Sequence, residues 1–235
     1  MSIVCIRQPS YLPNLGFFQR MMASDIFVFL DDTWYASHKW DNRNKIRTAN
    51  GFLWLTVPLL RKTKDEFINA IQISYEKNWQ KKHLRSIELT YSKAPYFQSY
   101  WPKLKSIIEK PHDKLLELNI ELINWIKSEL NINTKTIFSS QFKIHQKSSK
   151  KLLGICKQLP TSIYFSGKGG TNYLNEEIFA TEGIKVVYDT FEHPIYEQLH
   201  ENFIPNMSVI DLLFNEGKNS YQIIYDSIKN NLPNN

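Results

Sequence analysis

The sequence predicts an α/β fold: a central, largely parallel or mixed sheet flanked by helices, with a helical subdomain. Three observations lead there. The chain opens on an apolar run from Ile3 to Ile6, a loop punctuated by Pro9, Pro13 and Gly16, a helical stretch, and a second apolar run from Ile26 to Leu30. Strand, rigid loop, helix, strand is the opening of a parallel sheet. The same alternation returns after residue 130, and the stretch between carries helical periodicity. The 235 residues suffice for one sizeable α/β domain or two small ones. They divide into an N-terminal α/β portion (1–77), a helical subdomain or insertion (78–130) and a C-terminal α/β portion (131–235) that completes the same sheet.

Each element has its own signature. The first strand ends at Arg7, and the prolines of QPSYLPNLGF fix the loop backbone that follows. From Gly16 the pattern FFQRMMAS is helical, and IFVFL is the apolar run of a buried strand, so Asp31 and Asp32 emerge at its carboxyl end. Ala49, Asn50 and Gly51 mark a tight turn before a strand from Phe52 to Leu59, so the segment ahead of the turn pairs with it as a hairpin. There Asp41, Arg43, Lys45 and Arg47 share one face, and Trp40, Asn42, Asn44 and Ile46 the other. Arg61 to Glu66 is a charged loop. From Asn78 to Pro111 the pattern reads as two helices broken near Ala94 and Pro95. Asp113 is the expected cap of a long helix whose Leu115, Leu118, Leu122, Ile126 and Leu130 recur at helical spacing. Trp79, Trp101 and Trp125 have apolar neighbours and read as packing residues. Lys135 to Ser139 is a strand, Ser148 to Gln158 a helix, Ser162 to Phe165 a strand, Glu176 to Ala180 a helix and Ile184 to Tyr188 a strand. Ser208 caps an amphipathic helix that presents Val209, Leu212 and Leu213 inward and ends at Gly217.

Charge and cysteine usage narrow the function. The net charge of +6 is uneven: residues 130–175 hold seven lysines and no acid, whereas 176–235 hold ten acids against three lysines. A lysine-rich middle suits a phosphorylated ligand or an acidic protein, or is a solvated face. Its lysines are not interleaved with arginines and aromatics as a single-strand groove requires, so nucleic acid is not expected. No stretch approaches the roughly 18 uninterrupted apolar residues of a membrane helix, and no basic region precedes a long apolar core near Met1. A cytoplasmic protein without a membrane span is expected. Cys5 and Cys156 lie far apart with no CxxC pair, which fits a reducing compartment and gives no zinc signature, so no metal is expected. Cys5, inside an apolar strand, reads as a small buried hydrophobe rather than an acyl carrier.

The stretch densest in chemistry is DDTWYASHKWDNRNKIR, Asp31 to Arg47, which begins at a strand's carboxyl end, where ligands bind in open α/β sheets. Asp31, Asp32 and His38 are the candidate catalytic groups; Trp40, Asn42, Arg43 and Asn44 are candidates for binding and orienting a polar substrate. A strand-end turn is the plain alternative for the aspartates, and an exposed loop position for His38. Gln8, Tyr11 and Asn14 are held by the rigid first loop at the same edge of the sheet. Asp31, Arg43 and Gln8 are expected to converge on one cleft. The second region is Ser166, Gly167, Lys168, Gly169, Gly170 and Thr171, where glycines let backbone N–H groups approach an anion and a helix starting at Thr171 or Asn172 would add its positive end. Its spacing is neither GxxxxGK(S/T) nor GxGxxG, and a simple strand-to-helix turn is the alternative. His193 and His200, in a proline-containing loop, either reach the same pocket or solvate that loop.

In order along the chain, RQPSYLPNLGFF, FVFLDDTWY, KWDNRNKIR, LWLTVPL, YFSGKGGTNYL and FIPNMSVIDLLFNEG resemble the motifs of the WbqC-like protein family over nearly the whole length. The resemblance implies a role in O-antigen or other surface-polysaccharide biosynthesis, and a transferase that adds an aminoacyl group, glycyl among them, or an acyl group to a nucleotide-linked amino sugar. Two positions depart from the family pattern: Arg7 stands where His usually precedes Gln8 and Pro9, and Asn14 where Trp usually follows Pro13. Acyl transfer to an amine needs a base and oxyanion donors. Asp31, Asp32 and His38 are the candidates for the first, and Asn42, Arg43 and Asn44 for orienting or stabilising groups. No tightly bound cofactor is expected; the acyl donor is left open, with a carrier-protein or coenzyme A thioester among the candidates, and an acidic acyl carrier protein is one candidate partner for the lysine-rich middle. A non-catalytic sugar-nucleotide or carrier-binding module of a polysaccharide assembly complex is the second reading. Nucleotidyl transfer is the third: the opening resembles that of nucleotidylyltransferases, but their HxGH motif falls on Asn14, Leu15, Gly16 and Phe17, and both histidines are missing.

Overall fold

The computed structural model describes residues 2–35, 40–60 and 66–229. Strand β1 (Ile3–Arg7), helix α1 (Leu15–Met22) and strand β2 (Ile26–Phe29) form the opening unit, and the hairpin of β3 (Arg43–Thr48) and β4 (Gly51–Thr56) follows. A short pair, β5 (Leu59–Leu60) and β6 (Gln72–Ile73), leads into α2 (Trp79–Tyr91), α3 (Phe97–Glu109) and α4 (Leu115–Glu129). The chain re-enters the sheet at β7 (Lys135–Phe138), passes through α5 (Ser148–Lys157) to β8 (Ile163–Ser166), and through α6 (Glu177–Ala180) to β9 (Lys185–Tyr188). Helices α7 (Val209–Glu216) and α8 (Ser220–Lys229) complete the described chain.

The central sheet has five strands, all parallel, in the order β7-β2-β1-β8-β9. Among the described residues, antiparallel strand pairing is confined to the β3–β4 hairpin and the β5–β6 pair, apart from single bridges. Side chains alternate across the sheet, as the two-residue period of a strand demands. Cys5, Phe27 and Phe29 point into one core with Phe17, Phe18 and Met21 of α1. Val4, Ile6, Ile26 and Val28 point into the other with Leu152, Ile155 and Cys156 of α5 and Phe179 of α6. Burial on both faces is why the strands read as continuous apolar runs rather than alternating ones. With α1 on one face and α5 and α6 on the other, the connections run outward in opposite directions from the central β1–β8 pair, and the sheet is doubly wound.

The helices of region 78–130 pack on the α1 face. Leu118, Leu122 and Ile126 of α4 join the core that contains Phe27 and Phe29. Phe214 of α7 brings Tyr91 and Phe97 together, with ring centroids 5.1 and 5.2 Å from its own. Helix α4 begins one residue later than an Asp113 cap implies. Lys114 takes the cap position, and its backbone N–H donates to Glu117 Oε2 at 3.2 Å. Ser208 caps α7, its hydroxyl accepting from the Ile210 N–H, and Gly217 ends that helix at a φ of 56°, a conformation that favours glycine.

The proline-rich first loop is anchored from beneath. The Tyr11 N–H donates to the carbonyl of Asp41 at 3.1 Å, and the buried Tyr11 hydroxyl lies 2.9 Å from His83 Nδ1 on α2. His83 also bonds the backbone of Thr56, so a neutral imidazole accepts on one nitrogen and donates on the other. Burial lowers the His83 pKa to about 4. An unfolded histidine takes up its proton near pH ~6.5, so this group leaves stability untouched above that value. As pH falls from there towards about 4, the unfolded state gains a proton that the folded state refuses, and stability is lost. His193 and His200 are shifted in the same direction and add to the effect. Thermal unfolding across this window should therefore show a falling melting temperature. His83→Gln is expected to lower stability at neutral pH yet flatten the acid dependence, and an unchanged slope would rule this origin out.

Candidate functional site

The strand order reverses between β1 and β8, and a cleft of about 800 Å³ opens at their carboxyl ends. Neighbouring parallel strands whose connections leave on opposite sides necessarily open such a crevice. Arg7 and Gln8 enter it from the end of β1, and Ser166, Gly167 and Lys168 from the end of β8. Arg20 reaches it from α1 and Lys151 from α5, on opposite faces of the sheet, and Thr33 and Trp40 add to the lining. Arg7, Arg20, Lys151 and Lys168 make the lining strongly basic, and among the described residues that form it there is no carboxylate.

Two of these cations are held by carboxylates that stand outside the lining. Arg20 Nη1 pairs with Asp189 Oδ2 at 2.5 Å, the two side chains only 10% and 2% exposed. Burial pushes the Asp189 carboxyl up, against the Arg20 charge and the Phe191 N–H that pull it down. Gly167 lies against this arginine: a Cβ there would stand 3.3 Å from Nη1. Lys151 Nζ contacts Asp32 twice, at 2.7 Å from Oδ2 and 2.8 Å from the backbone carbonyl. The Arg7 guanidinium lies 5.5 Å from the centre of the Phe17 ring.

The glycine loop owes its path to close contacts. A Cβ on Gly170 would collide with Ser166 Oγ and stand 2.9 Å from Leu174, so a side chain there would force both to shift. After Gly167 the chain makes a 3-10 turn over Lys168–Asn172, and the next helix, α6, starts only at Glu177. The helix expected to begin at Thr171 or Asn172 is absent there: Thr171 and Asn172 close the 3-10 turn, and the helix starts five residues further on. Positive charge at the loop comes from Lys168 rather than from a helix end.

The structure distributes the residues singled out in the sequence. Gln8, Trp40, Ser166, Gly167 and Lys168 line the cleft. Asp31 is buried; its carboxylate accepts from Ser139 Oγ at 3.0 Å, the Ser140 N–H at 2.9 Å and Ser140 Oγ at 2.8 Å, tying the end of β2 to the turn after β7. Asp32 accepts from Ser139 Oγ as well as Lys151, and its neighbour Thr33 is a lining residue. Tyr11 is the buried anchor described above, and Asn14 precedes α1 and bridges to Ser208. Asn42 donates to the Val57 carbonyl at 2.8 Å and accepts from the Tyr35 hydroxyl; Asn44 donates to the Leu12 carbonyl at 2.7 Å. Both asparagines fasten the hairpin to its surroundings. Arg43 lies over the Trp54 ring, 4.8 Å from its centre. Gln8 thus lines the cleft, while Asp31 and Arg43 are not among its lining residues. His38 lies outside the described residues, as do residues 61–65 of the charged loop.

His193 stands elsewhere, in a second cavity of about 660 Å³, with its Nδ1 2.9 Å from the Pro194 carbonyl. Of the cations, Lys151 lies in the acid-free region noted above. Arg20 and its partner Asp189 carry a fainter signal. An arginine flanked by Phe17, Phe18, Met21 and Met22 falls on a helix too apolar to leave it solvated on every side, and a buried guanidinium demands a counter-ion.

A family model described as the WbqC-like protein family matches residues 8–223. The chain belongs to that family. The match takes in Gln8, Arg20, Lys151 and the whole Ser166–Thr171 loop, so most of the cleft of this WbqC-like protein lies inside it. An uncharacterized protein of Mycobacterium tuberculosis, Rv1507c, is 34% identical over 221 residues, which are 92% of this chain and 95% of that protein. No solved structure matches the chain. No helix of the WbqC-like chain, among the described residues, is long and apolar enough to cross a membrane.

The bonding of Asp31 makes a stability prediction for this WbqC-like protein. The part-buried Ser140 N–H and hydroxyl both donate to its carboxylate, whereas the Ser139 hydroxyl also reaches Asp32, so Asp31→Ala strips two donors of their acceptor and is expected to cost roughly 1–2 kcal/mol of unfolding free energy. Chemical denaturation measures the loss.

Proposed function

We propose that the cleft binds the diphosphate of a nucleotide-linked amino sugar and that the protein transfers an acyl or aminoacyl group, glycyl among them, to the sugar's amine in surface-polysaccharide biosynthesis. One observation carries the reading: Arg7, Arg20, Lys151 and Lys168 gather at the switch point of a doubly wound sheet. Guanidinium forks match phosphate oxygens in pairs, and Asp189 holds the fork of Arg20 before any ligand arrives. The family resemblance supplies the amino sugar and the acyl group.

The donor in this reading is an acyl thioester, of coenzyme A or of an acidic carrier protein, with no tightly bound cofactor. The sugar nitrogen attacks the carbonyl carbon, forming the C–N bond as the C=O π electrons move to oxygen, and the tetrahedral oxyanion then re-forms C=O as the C–S bond breaks. The thiolate leaves and takes up a proton, while the nitrogen gives its own to a base. Asp32 is the proposed base, because it adjoins the cleft through Lys151 and Thr33. Gln8 and Ser166 are the proposed hydrogen-bond donors to the oxyanion. Cys5 touches the cleft from beneath but is 1% exposed and packs in the core, and burial pushes its thiol up to about 12, so it is not the proposed acyl carrier.

A non-catalytic binding module is favoured by a different observation: among the described residues that line the cleft, none is a carboxylate or a histidine. Calorimetry and turnover separate the readings. Inorganic pyrophosphate and nucleotide-linked amino sugars should bind, and Arg7→Ala and Lys168→Ala should each weaken both about tenfold. Asp32→Asn should lower turnover with a thioester donor by about a hundredfold while binding is retained. Tight binding by the parent protein with no turnover on any thioester would decide for the module. No binding of any diphosphate would sink both.

A further inference from the structure

The hairpin turns an aromatic face to solvent. Phe52, Trp54 and Trp40 are 49%, 40% and 37% exposed, whereas Asn44, Ile46 and Leu55 on the opposite side are buried. Cross-strand pairing puts Lys45 opposite Trp54 on the outer face. The Arg43 guanidinium lies 4.8 Å from the centre of the Trp54 ring, and Lys45 Nζ 4.6 Å from that of Phe52. Trp40 closes the group, its ring 5.4 Å from Trp54 and tilted 36° to it.

Position gives this face its meaning. Trp40 belongs both to the aromatic group and to the cleft lining, so the aromatic group adjoins the basic cleft through this one residue. A ligand whose anionic part lies among the cleft's cations meets Trp40 at the wall of the cleft, and Trp40 in turn adjoins Trp54 and, beyond it, the Arg43 guanidinium. Stacking on such surfaces is what a planar heterocycle gains from, whichever base it is. Aromatic and basic side chains also suit a bilayer surface. Here, however, the exposed tip of the hairpin is Ala49 and Asn50, and the rings lie along its side rather than at the end that would insert.

We propose that Trp40 and Trp54, with Arg43, seat the base of a nucleotide whose diphosphate occupies the cleft. The proposal rests on the diphosphate reading of that cleft and adds a recognition element to it. The full-length chain is titrated with inorganic pyrophosphate and with uridine and adenosine diphosphates, following heat and tryptophan emission.

Nucleoside diphosphates should bind about tenfold or more tightly than pyrophosphate and quench the emission, which pyrophosphate should leave unchanged. Trp54→Ala should erase that margin and keep the pyrophosphate affinity. Arg43→Gln, which keeps both indoles, should reduce the margin and serves if the tryptophan variant does not fold. Equal affinity of the parent for pyrophosphate and nucleoside diphosphates would overturn the base seat alone. So would sedimentation with phosphatidylglycerol vesicles that Trp54→Ala abolishes while nucleotide affinity stays intact. Failure of pyrophosphate to bind at all would remove the cleft reading first.

Discussion

The handedness of its crossovers is the constraint on which the rest of this structure depends. A right-twisted strand followed by a helix packs back onto a parallel sheet in one sense only. The chain therefore extends the sheet in one direction with α1 on one face, and in the other with α5 and α6 on the opposite face. The ends of β1 and β8 are the one place where successive connections part company. A crevice there follows from topology before any side chain is chosen, and the residues just past Arg7 and Ser166 inherit the task of filling it.

What fills it is charge, and charge brought this far from bulk water has to be compensated. Arg20 leaves an otherwise apolar helix, so its guanidinium could not be buried without Asp189, which arrives from the edge of the sheet just after β9. Lys151 is compensated in the same way by Asp32, the residue that follows Asp31 at the end of β2. Each carboxylate neutralises part of the local field and fixes the direction of its partner, so the cleft keeps a net positive potential with pre-aimed donors. Leaving either member of such a pair alone in the interior costs far more than the pair gains in isolation.

Much of the fold is legible in the sequence. Burial on both faces writes continuous apolar runs at IVCIR, IFVF and IYFS, and the turn chemistry of Ala49-Asn50-Gly51 marks the hairpin. Strand order is not legible, because β2 pairs with β7 across a hairpin and three helices that say nothing of where the chain returns. The parts of the cleft at strand ends, Gln8 and the glycine loop, can be read from position. Arg20 cannot, since its partner Asp189 is remote in sequence and neither residue belongs to a motif. Asp31 and Asp32 look equivalent as letters and share the Ser139 hydroxyl, yet their other partners differ. One is held by Ser140, and the other reaches Lys151. Asn42, Asn44 and Tyr11 show the same limit: polar residues dense in one stretch of sequence serve equally as ligands for a substrate and as fasteners for backbone.

The pairing of strands remote in sequence bears on how the chain is made. When β1, α1 and β2 have left the ribosome, both edges of their two-stranded sheet stand open, because Ile26 must wait for Lys135 and Ile3 for Ile163. At roughly 5–20 residues per second the wait for β7 lasts on the order of ten seconds. Throughout it IVCIR and IFVF present bare strand edges, the templates on which nascent chains misassociate. The helices that intervene, α2 to α4, cover only the α1 face, so the opposite face stays open until α5 arrives. Synthesis of this protein thus passes through a half-covered, edge-exposed sheet, the kind of intermediate that chaperones shield.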